Sequence, residues 1–143
     1  LFRSLPPALD MDYEKRVQTA IREVVTGGYA ESAHDLGEGG LAVALAECCA
    51  GGIGADIQFA TSLRPELALF HEGPSRVLVS TNDPAAVERI AAKNKIEVVR
   101  LGVTMKGGLR IGDGSVTWID SPVDRLKQVW ENALAGQMTV VHA

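Results

Sequence analysis

A single layered α/β domain, with helices packed on a mixed β-sheet, is the fold class this sequence predicts, and three observations predict it. Segments with apolar residues at helical spacing alternate along the chain with short β-branched runs. A hairpin pattern near the end, Arg110-Ile111 and Val116-Thr117-Trp118-Ile119 around Gly112-Asp113-Gly114, supplies neighbouring antiparallel strands. The stretch from Leu41 to Ala50 is apolar on almost every side, as a helix enclosed by other elements must be. At 143 residues, 46% of them hydrophobic, the chain is long enough for one ordinary domain with its own core.

In chain order, residues 1–9 with the Pro6-Pro7 pair read as a stiff linker from a preceding domain. From Asp10, the residues Tyr13, Val17, Ala20, Ile21, Val24 and Val25 recur at helical spacing, with Asp10 or Asp12 as cap and Gly27-Gly28 as stop. Glu31 to Leu36 is strand-like, and a turn over Gly37 to Gly40 leads into the helix Leu41 to Ala50. Gly51, Gly52 and Gly54 end that helix. Ala55 to Phe59 alternates as a half-buried strand. Pro65 to Phe70 is a short helix with Pro in its first turn, and Arg76 to Ser80 is a β-branched run expected to be a central strand. Asp83-Pro84 starts a helix through Val87, Ile90 and Ala91 that ends near Asn94, and Glu97 to Val103 reads as another strand. Ser121 to Asp124 resembles a capping box that opens a last helix, with Leu126, Val129, Trp130, Ala133 and Leu134 as its apolar stripe. The domain proper spans residues 10–135, and 136–143 form a tail.

Composition narrows the function. A net charge of -4 and scattered basic residues argue against a dedicated nucleic-acid surface. No apolar run approaches the length of about 20 residues that a membrane helix needs, and the start lacks the pattern of a signal peptide. The expectation is a soluble, cytoplasmic protein with no membrane partner. Cys48 and Cys49 are adjacent, point in different directions from a helix, and read as reduced core residues rather than metal or redox groups. Trp118 and Trp130 read as core aromatics.

The chemistry concentrates at Ala33-His34-Asp35-Leu36-Gly37-Glu38-Gly39-Gly40-Leu41, which reads as a strand ending in a His-Asp pair, a glycine turn and a helix start. Unpaired amides at a helix start, beside glycines that let a ligand approach the backbone, make a candidate anion site. The spacing is neither the dinucleotide nor the Walker pattern.

Three stretches carry a resemblance: the one from Ala33 to Leu41 continued through Ala42-Val43-Ala44-Leu45-Ala46-Glu47; then Leu69-Phe70-His71-Glu72-Gly73-Pro74-Ser75-Arg76-Val77-Leu78-Val79-Ser80; then Leu101-Gly102-Val103-Thr104. In that order they resemble the C-terminal domain of the aminoimidazole ribonucleotide synthetase-related superfamily, above all the last domain of the phosphoribosylformylglycinamidine synthase family. The resemblance implies an ATP-dependent, carbon–nitrogen bond-forming ligase of purine biosynthesis. Such an enzyme uses ATP and magnesium to activate the amide oxygen of formylglycinamide ribonucleotide, and glutamine-derived ammonia then displaces the phosphate. It implies as partners the remaining domains of the same enzyme and a glutaminase subunit or domain, with ATP or ADP held by the full enzyme and the isolated domain inactive. Other superfamily members (aminoimidazole ribonucleotide synthetase, selenophosphate synthetase, thiamine-phosphate kinase, a hydrogenase maturation factor) and a non-catalytic packing and docking module are the alternatives. Two positions depart from the family pattern: His71 stands where many members have glycine, and Gly37 where serine is common.

No residue is assigned a catalytic role. His34, Asp35, Gly37, Gly39 and Gly40 are the ligand- or phosphate-binding candidates, with Glu72 and Arg76 second. His34 is either an acid or base or a hydrogen-bonding turn residue. Asp35 either faces magnesium or a ligand hydroxyl, or holds the turn open by an Asx bond. Gly39 and Gly40 either present amides to phosphate or let the helix begin close to a neighbour. Arg76 either grips phosphate bidentately or pairs with Glu72 or another carboxylate.

Overall fold

The computed structural model describes residues 9–139, with side chains through 133. Pro6, Pro7 and the rest of the expected linker before Leu9, the stripe residue Leu134, and residues 140–143 lie outside that description. Contacts gather the chain into two compact units, the chain up to Ala44 with Glu66–Arg100, and Leu45–Pro65 with the residues from Leu101 onward. The fold is mixed α/β with a mixed sheet, as the sequence predicts.

In the first unit, α1 (Met11–Thr26) starts where the Asp10 carboxylate accepts the amides of Asp12 and Tyr13 at 2.9 and 3.0 Å. Its inner face is Val17, Ala20 and Val24, all buried, and it packs against the helix Pro84–Lys93. That helix is capped as expected, with Asp83 accepting the Ala86 amide at 2.9 Å and Pro84 in the first turn. Across the pair, Lys93 reaches Glu23 at 2.9 Å and Arg16 donates to the Lys95 carbonyl at 2.7 Å. Strand β1 (Ser32–Asp35) runs antiparallel to the strand Val77–Ser80, with His34 opposite Leu78 and Asp35 opposite Val77. The run from Arg76 to Ser80, expected to be a central strand, is therefore half of a two-stranded ribbon. Its β-branched composition reflects half-burial on a pleat, which a ribbon also supplies.

α2 (Gly40–Cys48) crosses from the first unit into the second and is, as predicted, the most enclosed helix: Gly40, Leu41, Ala42, Ala44 and Leu45 are buried. A 3-10 turn, Cys49–Gly51, closes it. Cys49 is buried but Cys48 is exposed, which corrects the reading of both as core; consecutive helical positions face different ways, and only one can face inward here. α3 (Pro65–Phe70) carries Pro at its start and buries Ala68 and Leu69. Naming the remaining elements in order, β3 is Val77–Ser80, α4 is Pro84–Lys93, β4 is Gly102–Lys106, β5 is Gly108–Gly112, β6 is Thr117–Pro122 and α5 is Val123–Thr139, preceded by β2 at Ile53–Gln58.

The second unit is built on a four-stranded sheet of order β4-β2-β5-β6, in which β2 pairs antiparallel with β4 and parallel with β5. Ala55 and Ile57 of β2 stand opposite Leu109 and Ile111 of β5, and all four are buried. The other face carries Arg110 between Asp56 and Asp120, each at 3.6 Å. β2 passes close to its neighbours at Gly54, where a Cβ would come within 1.8 Å of the Gly108 carbonyl oxygen. The predicted β5–β6 hairpin is present, its turn held by the Asp113 carboxylate, which accepts the amides of Ser115 and Val116 at 2.8 Å. Those bonds also lower the Asp113 pKa. Trp118 meets Phe59 edge to face at 5.6 Å but is only half-buried, short of the core position its reading gave it.

Three further expectations change. The strand read from Glu97 begins at Gly102, which faces Ile57 of β2; just upstream the Leu101 carbonyl still accepts the Gln58 amide at 2.7 Å, and the residues from Glu97 to Arg100 take no place in the ladder. α5 continues to Thr139, so the boundary expected at 136 falls inside a helix. Trp130, read as core, is 70% exposed. Among the described residues no helix is long and apolar enough to cross a membrane.

Since Ile111 is fully buried and Val103 is 69% exposed, truncating the two to alanine separates core from surface. Ile111→Ala is expected to lose about 2–5 kcal/mol of unfolding free energy in urea melts, and Val103→Ala to stay within about 0.5 kcal/mol.

Candidate functional site

The predicted corner exists in the first unit. β1 ends at Asp35, the Leu36 amide donates to the Arg76 carbonyl at 3.0 Å, and the chain turns through Gly37 to Gly40 into α2. Gly39 and Gly40 adopt φ of +80° and +65°, conformations that an L side chain disfavours. At Gly40 space adds a second demand, since a Cβ would come within 2.8 Å of the His71 carbonyl oxygen and 2.9 Å of the Leu69 carbonyl oxygen. The close-packing role weighed for these glycines is thus present.

Their amides are engaged internally. Gly39 donates to Oε1 of Glu72 at 2.9 Å, and Gly40 to the Gly37 carbonyl at 3.3 Å. Glu72 therefore occupies the position in which an anion would meet the start of α2, and a carboxylate there is favoured by the amides and the helix dipole alike. The pairing weighed between Glu72 and Arg76 is replaced by two separate bonds. Arg76 donates through Nη1 to the His71 carbonyl at 2.9 Å and lies 3.3 Å from His71 Nδ1. His71 thereby gains a polar contact through its ring nitrogen as well as its carbonyl. Burial lowers the Arg76 pKa. His34 Nδ1 lies 2.6 Å from the carbonyl oxygen of Asp35, the local turn contact that was weighed against acid–base chemistry.

Asp35 and Arg76 share a groove of about 730 Å³ with Val17, Ile21, Leu36 and Val77, rimmed also by Glu14, Arg22 and Ser75. Asp35 and Gly37 are exposed, so the corner opens to solvent. Glu14 and Ser75 were not singled out from the sequence. Ser75 takes φ of +60°, and its hydroxyl donates to Glu14 Oε2 at 2.5 Å while Gln18 donates to the other oxygen at 2.7 Å. The hydroxyl of Ser75, and then the Gln18 amide, lower the Glu14 pKa. Pro74-Ser75 was visible as a turn, but a serine gives no sign in sequence that its φ will be positive. For a metal, the donor set is too small: among the described residues no group of three or more His, Cys, Asp or Glu side chains is placed to hold one. Asp35 alone does not make a magnesium site.

Two outcomes follow from these contacts. Glu72→Ala leaves the Gly39 amide without its acceptor, so its hydrogen exchange should quicken while Glu72→Gln, which keeps an oxygen there, preserves much of the protection. Ser75→Ala should raise the Glu14 pKa toward its usual 4.5, read by NMR titration. The folded-state value is the lower one, so this bond's stability is fully present above the unfolded value and is lost as pH falls through the folded one. The difference between wild type and Ser75→Ala in urea melts should accordingly shrink in acid.

Residues 3–113 match the family described as AIR synthase related protein, C-terminal domain. The chain is 47% identical over 104 residues to the phosphoribosylformylglycinamidine synthase subunit PurL of Moorella thermoacetica, a match that covers 72% of this chain and 14% of that protein. Among solved structures it is similar to Thermotoga maritima PurL complexed with ADP (TM-score 0.74, 25% identity, 84% of this chain and 22% of that one). It is also similar to the same protein complexed with FGAR (TM-score 0.71, 25% identity, 80% and 21%). The chain thus spans under a quarter of the length of these relatives. With the fold and most of its length matched, this chain belongs to the family of AIR synthase related C-terminal domains.

Proposed function

We propose that this chain is the C-terminal part of a phosphoribosylformylglycinamidine synthase, the ATP-dependent ligase that converts formylglycinamide ribonucleotide to formylglycinamidine ribonucleotide in purine biosynthesis. The observation that carries the reading is 47% identity to a PurL subunit across 72% of the chain. In the full reaction a phosphoryl group from ATP activates the amide oxygen, and ammonia attacks the amide carbon and expels phosphate. Glutamine is the ammonia source, through a glutaminase subunit or domain, and the protein works in the cytoplasm. ATP with magnesium is held mainly by domains outside this chain, in keeping with an Asp35 that has too few companions to bind the metal alone. Two structures of a relative, one complexed with ADP and one with FGAR, support nucleotide and ribonucleotide as ligands.

Within this chain His34, Asp35, Gly37, Gly39 and Gly40 form one wall of the ligand pocket. Asp35 is the member that lines a groove. It accepts hydrogen bonds from ligand hydroxyls, while Arg76 and Glu72 hold the turn behind it. One observation favours the packing and docking module instead: the Gly39 amide already has a carboxylate partner in Glu72. The two readings differ in what Asp35 does.

The longer polypeptide that contains this chain, given ATP, ammonia and formylglycinamide ribonucleotide, should form the amidine; the 143-residue chain alone should not. Turnover by the isolated chain would contradict the proposal. In the longer polypeptide, Asp35→Ala should weaken ligand binding about tenfold, as loss of a hydrogen bond to a charged group does. Unchanged binding of both nucleotide and ribonucleotide would favour the docking module.

A further inference from the structure

We propose that Glu14 is a positioning residue: its carboxylate holds Ser75 in a left-handed backbone conformation and, through the turn into β3, sets the end of β1 where Asp35 lines the groove. The proposal rests on reading Asp35 as a ligand-binding residue. Among the described residues other than glycine, only Ser75 and Lys95 have a positive φ, at +60° and +55°. A side chain crowds its own backbone there, and the conformation persists only where surrounding contacts enforce it. For Lys95 the cause is ordinary. It follows α4, and the amides of Lys95 and Ile96 donate to the Ala92 and Ala91 carbonyls, both at 3.1 Å, the bonds that close a helix with a left-handed residue. Ser75 ends no helix. It stands between Pro74 and the entry to β3, and among the described residues its one side-chain hydrogen bond runs to Glu14 Oε2 at 2.5 Å.

Glu14 is well placed to enforce it. It stands on α1, which is anchored by buried Val17, Ala20 and Val24, and Gln18 one turn on donates to its other oxygen at 2.7 Å. Both carboxylate oxygens are thus engaged, and a bond to an ionised acceptor is a strong one. What Ser75 fixes is the next peptide. The Arg76 carbonyl accepts the Leu36 amide at 3.0 Å, and Val77 stands opposite Asp35 in the ribbon. That ribbon has two strands, so the end of β1 has no second ladder to hold it. Glu14 and Asp35 line the same groove. Glycine adopts a positive φ without help. Glu14 is therefore needed when residue 75 is serine and dispensable when it is glycine.

The test uses the longer polypeptide that contains this chain, with Glu14→Ala, Ser75→Ala, Ser75→Gly and Asp35→Ala, and with Glu14→Ala joined in turn to Ser75→Gly and to Asp35→Ala. Alanine suits a helix, so Glu14→Ala leaves α1 intact. Two quantities are read, hydrogen exchange of the Leu36 amide and affinity for formylglycinamide ribonucleotide. Glu14→Ala and Ser75→Ala are each expected to quicken the exchange and weaken binding roughly fivefold, while Ser75→Gly, alone or with Glu14→Ala, stays near wild type. Joined to Asp35→Ala, Glu14→Ala should weaken binding no further, a coupling that a general loss of stability does not produce. Equal losses from Glu14→Ala with serine or glycine at position 75 overturn the proposal, because the carboxylate would then act directly. Leu36 exchange unmoved by Glu14→Ala overturns it as well. The two readings separate cleanly. Exchange that moves as expected while Asp35→Ala binds like wild type supports the hold on Ser75 and refutes the ligand wall; weakened binding in Asp35→Ala with exchange unmoved by Glu14→Ala does the reverse.

Discussion

Backbone set directly against backbone at Gly40 is the constraint on which the candidate site depends. With no side chain between them, the first turn of α2 lies against the carbonyls of Leu69 and His71 at the end of α3, at distances a Cβ would not tolerate. That approach places the His71–Gly73 turn where Glu72 can reach the Gly39 amide and where Arg76 can hold the His71 carbonyl. One close contact thus ties together the end of β1, the start of α2 and the entry to β3. The left-handed φ of Gly39 and Gly40 is a second condition on the same turn, and only glycine meets both without strain.

A consequence is electrostatic. The start of α2 would attract an anion, and the chain supplies one from its own sequence. An internal carboxylate satisfies an orphan amide as well as a bound phosphate does, so the glycine corner is stable as a piece of architecture. Of the corner residues, Asp35 and Leu36 line the groove, beside Arg76 and Val77. Ser75 and Glu14 brace the opposite rim through a short bond that also keeps Glu14 ionised over a wider pH range.

Stability comes from elsewhere. Ion pairs such as Arg110 between Asp56 and Asp120 are solvent-exposed at 3.6 Å and contribute at most about 1 kcal/mol each. The buried set on β2 and β5, Ala55, Ile57, Leu109 and Ile111, removes far more apolar surface from water, at roughly 25 cal/mol per Å². Against that core, the large apolar groups left in solvent, from Ile53 and Val103 on the sheet to Val129 and Trp130 on α5, mark surfaces whose composition suits burial and whose position here does not provide it.

Local chemistry was legible in the sequence wherever a single segment decided the outcome. Asp10 and Asp83 cap their helices because a short carboxylate reaches amides two or three residues ahead, and Gly112-Asp113-Gly114 turns a hairpin for the same local reason. The enclosure of α2 followed from a helix with no polar side, and the family followed from motif order. Pairing and coverage were not legible, because they depend on what stands opposite. A β-branched run at Val77–Ser80 looks the same whether it lies mid-sheet or in a ribbon, and Glu97 to Arg100 has strand composition without a place in this ladder. The stripe on α5 reads as core by spacing alone, while its exposure is a property of neighbours. The engagement of Gly39 by Glu72, 33 residues away, likewise arose only in three dimensions. Sequence fixes what each backbone segment prefers within a few residues; the partner that satisfies its remaining hydrogen bonds and apolar surface is chosen by the fold.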